Sequence, residues 1–440
     1  MRARGLQLCA LIALSLVLGL GVSAEADSRS FKKAWGAASK SSGDAKREAQ
    51  LAALNGIGAE DDAKLAKLLP ALSLDSTLDY RVRDAAEDAL GKLRGPAVEA
   101  YFSEALGADG KRPREKRAER RVAICHVLGR RAASDAAARG VLLAALGDSE
   151  DSVALAALRG VREIKDKAVV GALIALLERA QGRLASDARS ALQRITGQTF
   201  ASAAEWKSFW EAKGASWSPD SAAAADEEAP PERRLTTRTR LEPPKGGTTI
   251  YGTVTSSKVL FVVDVSGSMQ VRAQDTTDRI RTRLDYVRQS LAGVIESQID
   301  DKDEFNVLSF STEAKLFGNK KKLLRGNAAN KKKAAAWIRR LQPEDGTNVY
   351  LALERAFELP GIDTIYFLSD GSPSEGTSIV TDEILGHVRR WNSGRGVRIH
   401  TIGFLVGDGS KLGIVQDKGM AKGFLEALAK NNDGSARFFE

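Results

Sequence analysis

The sequence predicts a multidomain chain, with an N-terminal all-α solenoid followed by a C-terminal doubly wound, Rossmann-like α/β domain. Three observations predict it. Over residues 30–215 apolar residues recur at helical spacing inside a longer repeat, the mark of stacked helix pairs. Over residues 248–440 apolar β runs alternate with helical patterns, as in a parallel sheet covered on both faces. Between them, residues 216–247 lose aliphatic periodicity. The 440 residues exceed one domain of roughly 100–200 residues. With 43% hydrophobic and 28% charged residues, the chain falls in the globular range and outside that of disordered proteins.

The N-terminus reads as an export signal. Arg2 and Arg4 precede an uncharged, mostly apolar run from Leu6 to Val22, and Val22-Ser23-Ala24 supplies the small residues after which signal peptidase cuts. Residues 1–24 are therefore expected to be a signal peptide, leaving a mature chain from Glu25 that is exported, periplasmic or secreted. The run falls short of the ~20 apolar residues that span a bilayer, and no later stretch is longer, so no transmembrane segment is expected after cleavage. Cleavage removes Cys9 and leaves Cys125 as a single thiol, which excludes a disulfide framework and a Cys-based zinc site. Three histidines (His126, His387, His400) give little scope for His-rich metal binding or His-dependent catalysis.

In the helical region a five-residue pattern recurs: Ala, a large aliphatic, two variable residues and another aliphatic. It reads Ala53-Leu54…Ile57, Ala89-Leu90…Leu93, Ala123-Ile124…Val127, Ala157-Leu158…Val161 and Ala191-Leu192…Ile195, at steps of 36, 34, 34 and 34 residues. The small Ala allows close helix approach and the aliphatics fill the seam. Second helices are expected at Ala63–Leu72, Ala97–Leu106, Ala136–Leu146 and Lys167–Glu178. A cap over Ala203–Ala212 would cover the last repeat with Trp206, Phe209 and Trp210. The array resembles HEAT-like repeats, which implies an extended surface for a second protein partner. Cys125 and His126 lie within a motif and read as packing residues.

Residues 216–247 hold five of the eleven prolines, an Ala run and an acidic cluster followed by arginines, and read as a flexible tether. Beyond it, Lys258–Val265 is a continuous apolar run, hence a central strand buried on both faces. Further strands are expected at Glu304–Phe310, Ala314–Phe317, Thr364–Ser369, Val397–Phe404 and Ala436–Phe439. Helices are expected at Asp285–Gln298, Ala328–Leu341, Val349–Leu359, Thr381–Trp391 and Lys422–Lys430. Ligands of such sheets bind beyond the carboxyl ends of the strands, at the topological switch point.

Three segments fall on that rim. The first strand runs into Asp264-Val265-Ser266-Gly267-Ser268, a loop between two helices carries Thr347, and the strand Thr364–Ser369 ends at Asp370. This Asp-x-Ser-x-Ser pattern, with its distal Thr and Asp, resembles the von Willebrand factor A-type domain with its metal-ion-dependent adhesion site, over about residues 248–440. The five groups offer only oxygen, which suits a hard cation, Mg²⁺ first, with Mn²⁺ or Ca²⁺ of the same chemistry. Two carboxylates balance the charge of such an ion, and a coordination position remains for a partner. The resemblance implies a protein ligand that donates an Asp or Glu carboxylate.

Other features carry less. Lys315–Arg340 contains ten basic residues and no acidic one, a face for an acidic partner or an anionic lipid surface, or else a solvated hairpin and helix face. Export and the lack of interleaved aromatics disfavour nucleic acid. Asp408–Met420 reads as an insertion, since the spacing of its glycines fits no phosphate-binding loop. The expectation is a non-enzymatic exported scaffold or binding protein. The alternatives are a structural protein with an incidental metal site and a metal-dependent hydrolase using Ser266 or Ser268, for which no general base is evident.

Overall fold

The computed structural model describes residues 27–75, 77–219, 250–272, 282–370, 373–405 and 418–439. The expected signal peptide, most of the tether and residues 408–417 of the expected insertion lie outside the described residues. The chain divides into two compact units, one ending at Ser103 and the other running from Glu104. That division falls inside the helical region, whereas the sequence alone places the boundary at residues 216–247.

The helical region is formed by α1 (Ser28–Ala38), α2 (Gly43–Asn55), α3 (Ala63–Ser73), α4 (Tyr80–Lys92), α5 (Pro96–Leu106), α6 (Ala118–Gly129), α7 (Ala136–Ala145), α8 (Asp151–Val161), α9 (Lys167–Arg179), α10 (Gly182–Thr196) and α11 (Ala203–Lys213). Aspartates start many of these helices. Asp27, Asp62, Asp79, Asp135 and Asp166 each accept a hydrogen bond from a first-turn amide, which satisfies donors that lack an intrahelical partner. Every Ala and aliphatic position of the motif is buried. The motif helices pack on one another, α2 on α4 in the first unit, and α6 on α8 and α8 on α10 in the second. At the α6–α8 seam a Cβ on Gly129 would lie 2.9 Å from the Cα of Gly160, so the backbones approach too closely for any side chain there. The α11 cap carries a Ser202–Glu205 capping box and buries Trp206, with Phe200 4.9 Å from its ring.

In the second unit the strands are β1 (Lys258–Asp264), β2 (Glu304–Phe310), β3 (Ala314–Leu316), β4 (Leu324–Arg325), β5 (Thr364–Ser369), β6 (Arg398–Phe404) and β7 (Ala436–Phe439). Their order is β3-β2-β1-β5-β6-β7, with β4 also paired to β2. All pairs are parallel except the two edge pieces β3 and β4. Residue parity along β1 assigns the two faces. Val259, Phe261 and Val263 pack against α12 (Arg283–Gln298) and α13 (Ala328–Ile338). Leu260 and Val262 pack against α14 (Val349–Phe357), α15 (Thr381–Asn392) and α16 (Lys418–Lys430). Each fully buried aliphatic or Phe side chain contributes roughly 1.5–3 kcal/mol. The sequence did not predict β4, and α16 begins at Lys418 rather than at Lys422, so residues 418–420 of the expected insertion are helical.

Side chains of α8 and α10 meet the amino-terminal ends of the strands. Asp187 holds Arg398 bidentately at 2.7 and 2.9 Å. Arg183 donates to the carbonyl oxygens of Asp363 (2.5 Å) and Gly396 (2.8 Å), and Arg159 pairs with Asp433. These contacts join the later helices to the sheet. Among the described residues no helix is long and apolar enough to cross a membrane.

Candidate metal centre

The sheet reverses its winding at β1, whose neighbours are β2 on one side and β5 on the other. The carboxyl ends of β1 and β5 therefore form the crevice in which doubly wound sheets bind ligands. Asp264 is the last residue of β1 and Asp370 follows the last residue of β5, and both are fully buried. After Asp264 the chain turns into a short 3₁₀ segment, Gly267–Gln270, which brings Ser266 and Ser268 back over the strand end.

Four of the five expected residues are joined in one hydrogen-bonded chain. The Ser266 amide donates to Asp264 Oδ1 at 2.8 Å. The hydroxyls of Ser266 and Ser268 lie 3.0 Å apart, and Ser268 donates to Asp370 Oδ1 at 2.7 Å. Thr347, the fifth, sits on an adjoining loop. A parallel bridge between Ser266 and Glu344 ties that loop to the β1 turn, as does the Glu344 amide donating to the Val265 carbonyl at 2.7 Å. Glu344 is itself held by Ser311 (2.8 Å) and Lys315 (2.9 Å), which keep its carboxyl below the usual range. The Thr347 amide donates to Ser374 Oγ at 3.0 Å, while its hydroxyl makes no hydrogen bond among the described residues.

Two further side chains of the site were not read from the sequence. Ser369 donates to Asp264 Oδ2 at 2.6 Å. Its position directly before Asp370 on a strand end was an available signal. Arg283, the first residue of α12, pairs with Asp370 Oδ2 at 2.5 Å, both side chains being fully buried. A cation at a helix start reads as solvated, so nothing in the sequence marked it.

The site gathers two buried carboxyl groups. Burial, and then the neighbouring carboxylate of Asp370, push the Asp264 carboxyl up to about 7. Asp370 is met by the Arg283 guanidinium, and Asp264 by the Ser266 amide and the Ser369 hydroxyl. The donor set is hydroxyl and carboxylate oxygen throughout, the chemistry of Mg²⁺, Mn²⁺ and Ca²⁺ sites. Among the described residues no group of three or more His, Cys, Asp or Glu gathers as a metal site, so the donor set here rests on two carboxylates with hydroxyls.

The histidines lie outside this array. His387 Nδ1 is engaged by Arg390 at 2.8 Å, and His400 Nδ1 by Ser435. His126 and Cys125 lie on α6, where burial lowers His126 to about 4 and raises the thiol. Of the ten basic residues in 315–340, Lys315, Lys321 and Arg339 form ion pairs with Glu344, Glu358 and Glu296, while Lys320, Lys332 and Lys333 are exposed.

The family model described as von Willebrand factor type A domain matches residues 259–372, and this segment is such a domain. The chain is 30% identical over 158 residues to von Willebrand factor A domain-containing protein 3A of Homo sapiens, covering 36% of this chain and 12% of that protein. It is 28% identical over 206 residues to inter-alpha-trypsin inhibitor heavy chain H4 of Homo sapiens, covering 44% and 19% respectively. It therefore spans less than a fifth of the length of these relatives. Among solved structures, a von Willebrand factor type A protein from Catenulispora acidiphila is 19% identical, with a TM-score of 0.32, covering 43% of this chain and 40% of that one.

Proposed function

We propose that this is an exported, non-enzymatic binding protein whose type A domain takes a carboxylate of a protein partner through a divalent cation, Mg²⁺ first. The reading is carried by the continuous hydrogen-bonded array of Asp264, Ser266, Ser268 and Asp370 at the switch point, with the unbonded Thr347 hydroxyl on the loop beside it. Asp264, Ser266, Ser268, Thr347 and Asp370 would hold the ion, which supplies Lewis-acid attraction for an Asp or Glu oxygen. The residues' own part is orientation and desolvation: Ser369 fixes the Asp264 carboxylate, Arg283 fixes that of Asp370, and burial excludes competing water.

Two observations support a protein partner and the absence of turnover. Ile379 and Val380 follow the connection that carries Asp370 and are 53% and 52% exposed, apolar side chains that a protein would cover. The hydroxyls of Ser266 and Ser268 bond to each other and to a carboxylate, not to an imidazole, so neither serine has a nucleophile–base pairing. The buried motif helices would offer their outer faces to a second protein.

The test is capture of binding partners from the extracellular fraction on the immobilised full chain, in Mg²⁺ and in chelator. A partner that is retained in Mg²⁺, lost in chelator and lost with Asp264→Ala supports the reading. Retention that is indifferent to both overturns it.

A further inference from the structure

On the α12/α13 face of the sheet, away from the array above, a pocket of about 90 Å³ opens beside β6 and β7. A single water needs about 10–15 Å³ on this measure, so several waters or one small ion fit. The strand register builds it: Tyr366 of β5 lies opposite His400 of β6, and Ile402 of β6 lies opposite Arg437 of β7. Tyr251, ahead of β1, closes one wall, its ring 5.9 Å from that of Tyr366.

The lining is rich in donors and holds no carboxylate. Arg398 lines it but has its charge answered by Asp187 at 2.7 and 2.9 Å. Arg437 has no such answer: its guanidinium makes no hydrogen bond or ion pair among the described residues. It lies against the backbone of Gly252, a residue at φ +67° where a Cβ would overlap the guanidinium. His400 Nδ1 accepts the Ser435 amide at 3.1 Å, which places the ring proton on Nε2. Burial, with Arg398 and Arg437 nearby, holds this imidazole neutral, its pKa lowered to about 3, so it is a donor and not a second cation. The Tyr251 hydroxyl is buried with no hydrogen-bond partner, in a side chain only 2% exposed. A buried polar group left without a partner costs on the order of 1–3 kcal/mol, so a ligand that accepts from it is favoured.

One unpaired guanidinium, one neutral N–H and an unsatisfied hydroxyl around a small space call for a compact acceptor with several oxygens. We propose that this pocket binds a small tetrahedral oxyanion of the phosphate type, gripped by Arg437 and the Nε2–H of His400, with the Tyr251 hydroxyl as a further donor. The proposal is independent of the metal reading, since none of these residues belongs to that array.

Isothermal titration of the full chain with inorganic phosphate, and separately with glycerol 3-phosphate, tests it, with chloride at matched ionic strength as the reference. Saturable binding of inorganic phosphate is expected, weakened about tenfold or more by Arg437→Gln and less by Tyr251→Phe, because a charge-assisted contact exceeds a neutral one. Gly252→Ala should also weaken it, by displacing the guanidinium, while Lys332→Gln on the exposed basic helix should not. Equal binding of the monoester identifies the phosphoryl group of a larger molecule as the ligand, and binding of inorganic phosphate alone identifies the free ion. Circular dichroism melts confirm that each variant is folded. No heat above that of chloride in the wild type, or undiminished binding in folded Arg437→Gln, overturns the proposal.

Discussion

Replacing Arg283 by Met tests how the array balances its charge. The guanidinium lies 2.5 Å from Asp370 Oδ2, and neither side chain is exposed. At a charge separation of about 4 Å and an effective dielectric of about 20, their attraction is about 4 kcal/mol. Removing one member of a buried pair leaves the other charge uncompensated, which typically costs ~3–5 kcal/mol. In chelator, Arg283→Met should therefore lose several kcal/mol of stability, close to half of the ~5–15 kcal/mol that holds an ordinary domain together. In Mg²⁺ the outcome differs. The variant gathers the two carboxylates without Arg283 to compete for them, so the cation should bind more tightly than in the wild type and restore much of the loss.

The assay is urea unfolding followed by tryptophan fluorescence, with and without Mg²⁺, for the wild type, Arg283→Met, Asp370→Asn and the double variant. The double variant closes a cycle that isolates the pair. It should regain stability relative to Arg283→Met in chelator, since no charge is then stranded, and should gain nothing from Mg²⁺. An Arg283→Met loss that is equal in chelator and in Mg²⁺ would refute the view that the guanidinium and a cation serve the same two carboxylates.

Other perturbations follow from the same geometry. Because burial raises the Asp264 carboxyl to about 7, the cation-free folded state holds a proton that the unfolded state, at the ordinary carboxyl value of 3.8, has released. Stability in chelator should thus fall as pH rises from about 4 to 7, at up to ~1.4 kcal/mol per pH unit from this group, and Asp264→Asn should flatten that slope in pH-dependent unfolding. Asp187→Ala strands Arg398, which is 15% exposed, and should lower the urea midpoint of the second unit by an amount corresponding to ~1–3 kcal/mol, whereas a midpoint that stays put removes any structural role for the pair. Burial raises the Cys125 thiol, so maleimide should leave it unmodified in the native protein and modify it in urea, as peptide mass mapping would show.

Much of this fold is written in local pattern. Lys258–Asp264 is apolar on both faces, and nothing but a central parallel strand buries such a run. The repeat motif places Ala and aliphatics one helical turn apart, and each of those positions is buried. Asp264, Ser266 and Ser268 were legible because they lie within five residues and begin at a strand end. Thr347 and Asp370 became legible only through the order of the elements, since a single Thr or Asp carries no signal by itself. What escaped depends on contacts between distant residues. Arg283 and Asp370 are 87 positions apart, and Asp187 and Arg398 are 211 apart. No local composition distinguishes a charge that will be buried and paired from one that faces water.

The two ends of the strands are thereby given different work. At the carboxyl ends, parallel strands release their chains into loops whose side chains are free to converge, and there Asp and Ser side chains form one array. At the amino ends, carbonyls at residues 363 and 396 and the carboxylate of Asp433 are taken up by Arg183 and Arg159, and Arg398 by Asp187. An arginine answering backbone carbonyls and a carboxylate together fixes orientation as well as position, because its planar fork admits few geometries. The later helices thus brace the sheet from the end opposite the array. A partner that binds at the array meets loops anchored on strands whose far ends are already held, so binding has little backbone motion left to arrest in the strands themselves. The ordering cost of recognition then falls on the rim loops, where Ile379 and Val380 are exposed.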